Sequence, residues 1–276
     1  MKYFEYGTEH PELMVMLPGG GVCYRGAIPT ALEMAKTYHV ILVAYDGFNP
    51  DEPDTEFTTV TNEARQLGDY ITERYGGRID VLYGVSYGCF VLMDVLADER
   101  LRITTTIADG MPTMDYPDIK SPLLQNIYLL FLTGFSYLLI GRAGPLRKKL
   151  ICKMMGRSEE SLDRIIYRDA TWNSWRNEDK CMIGRHKDLS LFGRTDMYVW
   201  HGVKSSTEKK LAKHVGEWKE KGYPFTYKVF SNMGHGTLAG EHPEEFAKEV
   251  RAAHRTSVEK LSAKGAENET SRGESV

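Results

Sequence analysis

The stretch YGVSYGCF, Tyr83 to Phe90, decides the fold of this 276-residue chain. It places a serine between two glycines, after an apolar run and directly before the helical run CFVLMDVLADE. Gly84 and Gly88 permit a sharp turn from a strand into a helix, which exposes the Ser86 hydroxyl over the positive end of that helix. The pattern predicts a nucleophilic serine, and a Gly-Ser-Gly turn without chemistry is the alternative.

Six short apolar runs alternate with helical periodicity, which predicts an α/β fold with a mostly parallel sheet flanked by helices. The runs are ELMVMLPGGG, HVILVAYDG, IDVLYGVS, ITTTIADG, MYVWHG and FTYKVFSN. The connection between the fourth and fifth runs is far longer than an ordinary crossover. We therefore predict a core of residues 1–110 and 191–262, an inserted helical cap or lid of residues 111–190, and a disordered polar tail of residues 263–276.

The composition limits the classes of partner. There are 35 Lys and Arg against 38 Asp and Glu, which leaves a formal net charge of −3 and argues against nucleic-acid binding. The four cysteines lack metal-type spacing, and the start MKYFEYGTEH has no apolar segment for export. These features predict a reduced, cytoplasmic protein.

A base for Ser86 is found after the last apolar run, where His235 stands in SNMGHGTLAG. The carboxyl ends of parallel strands meet at one edge of the sheet, so Ser86 and His235 are predicted to lie at the same edge. A histidine between glycines is often only a turn residue. Its placement here favours a general base, because a base must reach the proton that it removes.

These motifs resemble the α/β-hydrolase superfamily from about Met14 to about Val250, with the long insertion where that family carries its lid or cap. The resemblance implies a Ser, acid, His triad in that chain order. It also implies an oxyanion site in LPGGGVC, which follows the first run. To this site we assign the backbone amides of Gly20 and Tyr87, with Gly21 as a competitor.

The acid departs from the commonest pattern of that family. Many relatives place an Asp shortly after the penultimate strand, at the position of Ser205 in this chain. Glu208 lies nearby and is the alternative acid, although Ser205 and Glu208 also match a helix capping box. A minority of the superfamily carries the acid where Asp109 follows the fourth run. Asp109 is therefore the predicted third residue, and an Asp-Gly turn is the competing interpretation.

Together these residues predict a serine hydrolase of carboxylic esters, acting on a small or acyl-chain substrate through an acyl-enzyme. The mechanism needs no metal or organic cofactor. Amide, thioester and carbon–carbon bond hydrolases share the same triad and stay open. The alternative from another class is a catalytically silent protein of this fold that binds a small molecule.

One segment is apolar enough to cross a membrane: LLQNIYLLFLTGFSYLLI, Leu123 to Ile140, carries no charge. A single span there would place Ser86 and His235 on opposite sides of the membrane. We therefore predict no transmembrane span, and a cap helix over the pocket instead. An apolar cap of this kind could make a weak contact with lipid.

Overall fold

A seven-stranded sheet forms the centre of the computed structural model, which describes residues 1–112, 116–185, 188–204 and 208–273. Side chains of residues 208, 209 and 264–273 lie outside the described part. The strands are β1 (Lys2–Tyr6), β2 (Leu13–Leu17), β3 (His39–Ala44), β4 (Arg78–Val85), β5 (Arg102–Asp109), β6 (Asp196–Gly202) and β7 (Thr226–Phe230). Their order is β1-β3-β2-β4-β5-β6-β7, and all neighbours are parallel except β1 and β3. The predicted fold class is confirmed.

The six predicted runs are β2 to β7, and β1 is the strand that the sequence did not indicate. Its residues KYFEY mix charged and aromatic side chains, and every one of them is half-buried. The strand exists because it pairs antiparallel with the fully buried β3, from Lys2 opposite Ala44 to Tyr6 opposite Val40. Edge strands of this kind depend on a partner distant in sequence, so a local pattern identifies them poorly.

Helices cover both faces of the sheet, and a group of them is inserted between β5 and β6. The helices are α1 (Ile28–Met34), α2 (Val60–Tyr75), α3 (Gly88–Ala97), α4 (Pro122–Ser136), α5 (Pro145–Met155), α6 (Glu159–Ile165), α7 (Trp172–Lys180), α8 (Glu208–Glu220), α9 (Thr237–Glu241) and α10 (Pro243–Gly273). A π-helical turn, Tyr137–Gly141, continues α4. We call α4 to α7 the helical insertion; its predicted status as a separate cap domain of residues 111–190 stays a prediction.

The apolar periodicity read from the sequence matches the buried faces of the core helices. In α2 the buried side chains include Val60, Ala64, Leu67 and Ile71, at spacings of three and four. The helix begins where the Thr59 hydroxyl accepts the Asn62 N–H, and it ends at the left-handed Gly76. The same logic holds for the buried faces of α8 (Leu211, Val215, Trp218) and α10 (Phe246, Val250, Ala253).

The backbone of α10 is helical to Gly273, within the segment for which the polar composition predicts a disordered tail. The last apolar contacts of this helix with the core are made near Ala253, and Leu261 is already exposed. The disordered tail of residues 263–276 stays a prediction, and residues 274–276 lie outside the described part of the chain.

The fold bears on the apolar segment 123–140, for which the absence of a membrane span stays a prediction. The segment forms α4 and the π-helical turn, and Pro122–Gly141 is long and apolar enough for a span although only 17% of its most apolar window is buried. The strand before the insertion, β5, pairs directly with the strand after it, β6. Both halves of the sheet therefore lie on the same side of α4.

Trp175 is one of the residues that fix the helical insertion to the core. Its side chain is 2% exposed, and its ring meets that of Phe48 edge-on at 5.6 Å between centroids. A Cβ added at Gly21 would lie 2.1 Å from the Trp175 ring, so the indole rests on bare backbone there. The Ser174 hydroxyl adds a hydrogen bond from the Phe57 N–H at 3.2 Å.

Truncating this side chain by Trp175→Ala is expected to lower the free energy of unfolding by about 3–5 kcal/mol, because a buried indole leaves a large cavity. Urea denaturation measures the change. Trp172→Ala on the same helix is the control, since Trp172 is only half-buried against Tyr137. An equal loss in both variants would contradict the assigned role of Trp175.

Candidate active site

Ser86 occupies the turn between β4 and α3 in a backbone conformation that a serine rarely adopts. Its φ is +54°, and it is the only non-glycine residue with positive φ in the described part of the chain. Two backbone hydrogen bonds hold it: the Ser86 N–H donates to the Asp109 carbonyl at 2.8 Å, and the Ser86 carbonyl accepts the Cys89 N–H at 2.9 Å. Such strain persists only where the surrounding structure enforces it, and it concentrates at functional sites.

The glycines on either side of Ser86 are required by close backbone approaches. A Cβ at Gly88 would lie 2.4 Å from the Pro18 carbonyl oxygen, and one at Gly84 would lie 3.0 Å from the Gly88 carbonyl oxygen. The start of α3 is thus pressed against the end of β2. The strand-to-helix turn predicted from YGVSYGCF is present, and it presents Ser86 at the carboxyl edge of the sheet.

Ser86 and His235 line one cavity of about 100 Å³. Its walls are largely apolar, with Leu17, Val22 and Ile165 among the lining side chains. The loop of Gly19, Gly20 and Gly21 after β2, which we call the glycine loop, closes one side of the cavity. A Cβ at Gly19 would lie 3.5 Å from the Cβ of Ser86. The structure thus brings together the serine, the histidine and the glycine loop that the sequence selected.

His235 is held in place by the helical insertion as well as by the core. Its N–H donates to the carbonyl of Met155, the last residue of α5, at 2.8 Å. The next residue, Gly236, has φ +62°, and a Cβ there would lie 3.0 Å from the Val85 side chain. The loop that carries His235 and Gly236, which we call the histidine loop, is therefore confined between the insertion and Val85, the residue before Ser86.

The two candidate glycines of the oxyanion site differ in their hydrogen bonds. The Gly21 N–H donates to Oε1 of Glu178 on α7 at 3.1 Å. A Cβ at Gly20 would lie 2.7 Å from the same oxygen and 3.1 Å from the Cβ of Tyr87. Gly21 is thus engaged by a side chain, which favours the Gly20 amide, with that of Tyr87, for an oxyanion. Both assignments stay predictions.

Asp109 ends β5 beside the turn, and its side chain is 4% exposed. Its Oδ2 accepts a hydrogen bond from the Tyr83 hydroxyl at 2.9 Å. Burial, together with this carboxylate, raises the pKa of Tyr83 well above its usual range, so Tyr83 acts as a donor. The competing acid, Glu208, begins α8, but its side chain lies outside the described part. Which carboxylate orients His235 stays a prediction.

Sequence reasoning missed two charged residues of the insertion that lie at the site, Glu178 and Arg157, and a third, Asp179, that follows Glu178 on α7. Burial, reinforced by neighbouring Asp179, raises the pKa of Glu178 well above its usual range. Burial likewise raises the pKa of Asp179 to about 6, although the Ser136 hydroxyl donates to its Oδ1 at 3.1 Å. Arg157 lines the cavity itself, and burial lowers the pKa of its guanidinium. Nothing in the local sequence marks these residues as buried.

Within residues 1–112, 116–185, 188–204 and 208–273, no group of three or more His, Cys, Asp and Glu side chains is arranged to hold a metal ion.

A strand-turn-helix serine, a histidine after the last strand and a glycine loop define a protein of the hydrolase class on a mostly parallel sheet. The model of the alpha/beta hydrolase family matches residues 14–249, and the chain belongs to that family. No curated protein matches the sequence.

Solved structures share the fold at low sequence identity. A putative alpha/beta hydrolase family protein from Desulfitobacterium hafniense is 18% identical, with a TM-score of 0.68 over 91% of this chain and 99% of that one. MenH from S. aureus is 16% identical, with a TM-score of 0.67 over 93% and 98%. A thermophilic esterase from Thermogutta terrifontis is 17% identical, with a TM-score of 0.69 over 93% of both chains. These similarities concern the fold alone.

The buried Asp179 gives stability a predictable dependence on pH. Because its pKa is raised to about 6 in the folded chain, it contributes stability that is complete below about pH 4 and is lost as the pH rises through 6. The loss from this group between about pH 4 and pH 8 is about 2 kcal/mol. Asp179→Asn should remove that part of the pH dependence, measured as the free energy of unfolding in urea across this range.

Asp169→Asn is the matched control, because Asp169 is exposed on the same insertion. It should leave the pH dependence of wild type unchanged. If Asp179→Asn also follows the wild-type curve, the carboxyl is ionised alike in folded and unfolded chains, and its assigned burial is wrong.

Proposed function

We propose that this protein is a serine hydrolase that cleaves carboxylic esters through an acyl-enzyme. The observation that carries the proposal is the placement of Ser86, in a left-handed turn at the carboxyl edge of the sheet, in one cavity with His235. A turn serving only the fold could have glycine at this left-handed position and has no need of a serine that shares a cavity with a histidine. Membership of the alpha/beta hydrolase family supports the hydrolase part of the proposal.

In the proposed reaction the Ser86 oxygen attacks the ester carbonyl while the His235 imidazole takes the hydroxyl proton. The carbonyl oxygen becomes negative and accepts hydrogen bonds from the Gly20 and Tyr87 amides. The imidazolium then gives its proton to the departing alcohol, which leaves an acyl group on Ser86. Water, activated by the same imidazole, releases the acid and restores the serine.

A buried carboxylate has one role in this scheme. It fixes the imidazole tautomer and stabilises the imidazolium. Asp109 is the proposed residue, supported by its position at the end of β5 and by its backbone contact with Ser86. Glu178 does not suit this role, because its Oε1 accepts the Gly21 N–H and burial raises its pKa, which disfavours the anion that the role requires.

Labelling with a fluorophosphonate tests the proposal, since such a probe reacts fast only with a serine that a base and an oxyanion site activate. We expect the mass of the adduct on the peptide that contains Ser86, and no adduct in Ser86→Ala. Ser190→Ala, at an exposed serine between the insertion and β6, should label like wild type. A folded wild-type protein that takes no label would favour the silent binding protein instead.

The acid is tested by comparing Asp109→Asn with Glu208→Gln in ester hydrolysis. Asp109→Asn should lower kcat by about 10⁴-fold, because the imidazole loses its orienting anion, and Glu208→Gln should have little effect. Tyr83→Phe controls for the lost hydrogen bond to Asp109, since it removes the donor and keeps the carboxylate. The reverse pattern would assign the acid to Glu208.

A further inference from the structure

Arg157 is a buried cation in the wall of the cavity that holds Ser86 and His235. It lies between α5 and α6, directly after Gly156, and its side chain is only 7% exposed. Among the described lining residues it is the only Lys or Arg, and most of the others are apolar or glycine. An apolar cavity with one guanidinium needs an explanation, because burying an unpaired charge is costly.

The protein satisfies this guanidinium only in part. Nε and Nη2 both donate to the Ser161 hydroxyl, at 3.2 and 2.9 Å. The nearest carboxylate oxygen, Oε1 of Glu241, is 3.9 Å from Nε and already accepts the Ser158 N–H at 3.1 Å. The described hydrogen bonds of the guanidinium use no Nη1 donor, and Nη1 lies 3.7 Å from where a Cβ of Gly236 would stand.

Nη1, which takes part in no described hydrogen bond, lies next to the histidine loop. Gly236 follows His235, and both line the cavity with Ser86. The cavity of about 100 Å³ suits a small molecule. A ligand whose carbonyl reaches Ser86 can therefore place a second group near Arg157 within a few bonds.

We propose that Arg157 binds a carboxylate carried by the substrate, so that the enzyme prefers short monoanionic esters such as the half-esters of small dicarboxylic acids. A carboxylate fits because a guanidinium presents paired donors in its own plane, and a charge-assisted bond in an apolar cavity is strong. The proposal rests on the ester hydrolase proposed above. It adds the chemical class of the substrate.

The competing role for Arg157 is structural, as a link from the insertion through Ser161 and Glu241 to the core. The two roles differ in what the loss of the cation does to different substrates. A structural link affects every substrate alike. A carboxylate subsite affects only the substrate that carries the anion, and does so mainly through KM.

Monomethyl and dimethyl succinate make the comparison, because they share the scissile methyl ester and differ in the remote carboxylate. For wild type we expect the higher kcat/KM on the monoanion. Arg157→Gln should lower kcat/KM on the monoanion by about 10- to 100-fold, mostly through KM, and leave that on the neutral diester close to wild type. Arg164→Gln, at an exposed arginine of α6, is the matched control.

Three results would overturn the subsite: no preference of wild type for the monoanion, an equal loss on both esters in Arg157→Gln, or an equal loss in Arg164→Gln. Thermal unfolding of each variant separates misfolding from lost binding. If neither ester is cleaved and Ser86 takes no fluorophosphonate, the ester hydrolase proposal fails instead. In that case a rise in Tm with succinate, lost in Arg157→Gln, still tests the subsite.

A separate observation concerns the outer face of the helical insertion. Large apolar side chains on α4, the π-helical turn and α5 face solvent, with Leu123 70%, Phe131 74% and Leu146 84% exposed. The others are Leu124, Ile127, Leu130, Phe135, Leu138, Leu150 and Met154. On α4 they recur mainly at spacings of three and four, so they form one stripe along the helix. We call these ten residues the apolar face.

The segment of sequence that carries the apolar face has a net charge opposite in sign to that of the whole chain. Residues 119–158 contain seven Lys and Arg and no Asp or Glu, although the chain has a formal net charge of −3. Arg142, Arg147, Lys149 and Lys153 of this segment are exposed beside the apolar side chains. An apolar stripe flanked by cations is the pattern of a helix that lies in the surface of an anionic membrane.

We propose that the apolar face docks on an anionic lipid surface, with α4 parallel to the membrane plane and the sheet in water. The face does not suit a second copy of the chain. A symmetric pairing would bring together two copies of a segment whose charged side chains are all cations. Anionic lipid neutralises these cations while the leucines and phenylalanines enter the boundary between headgroups and acyl chains.

Vesicle flotation tests the docking. Wild type should float with vesicles of phosphatidylcholine and phosphatidylglycerol and much less with phosphatidylcholine alone. Leu130→Gln/Phe131→Gln and Lys149→Gln/Lys153→Gln should each abolish flotation, whereas Leu32→Gln, at an exposed leucine of α1, should not. Wild type that stays unbound with both lipids overturns the proposal. So does a dimer in light scattering that Leu130→Gln/Phe131→Gln dissociates, which would make a second copy the occupant.

Discussion

The approach of the α3 N-terminus to the end of β2 is the constraint on which the site depends. With no side chain at Gly88, the helix starts against the Pro18 carbonyl, closer than any Cβ would allow. Ser86, in a left-handed conformation, makes the turn from β4 to that position. The same contact brings the glycine loop that follows β2 next to Ser86. This one close contact therefore positions both the proposed nucleophile and the proposed oxyanion donors.

The helical insertion completes this arrangement from the other side. The Met155 carbonyl holds the backbone of His235, and the Glu178 carboxyl holds that of Gly21. The proposed base and the glycine loop are thus each tied to a different helix of the insertion. Since Trp175 fixes the insertion on the core, its packing bears on the geometry of both.

The buried charges of the insertion are arranged in a way that suits chemistry in which an oxygen becomes negative. Glu178 lies against the glycine loop, where burial raises its pKa and so disfavours a negative charge beside a developing oxyanion. Arg157 lines the same apolar cavity on the histidine side, where its positive charge is available to the proposed substrate carboxylate. Low polarity strengthens both effects, because interactions between charges are poorly screened there.

The sequence by itself determined the elements whose signals are local. Alternation of apolar runs with helical periodicity predicted β2 to β7 and the buried face of α2. The glycines around Ser86 predicted the turn, because a strand can enter a helix so sharply only where side chains are absent. The placement of His235 after the last strand followed from the rule that parallel strands end at one edge.

Only the tertiary structure decided what depends on distant partners. The edge strand β1 forms because β3 is there to pair with it. Arg157, Glu178 and Asp179 look like surface residues in sequence, since charged side chains on short helices are usually solvated. Arg157 and Glu178 are buried where the insertion contacts the loops of His235 and Gly21, and Asp179 is buried where it contacts Ser136 of α4. Local pattern reports which backbone a segment prefers, whereas burial of a charge is set by whatever packs against it.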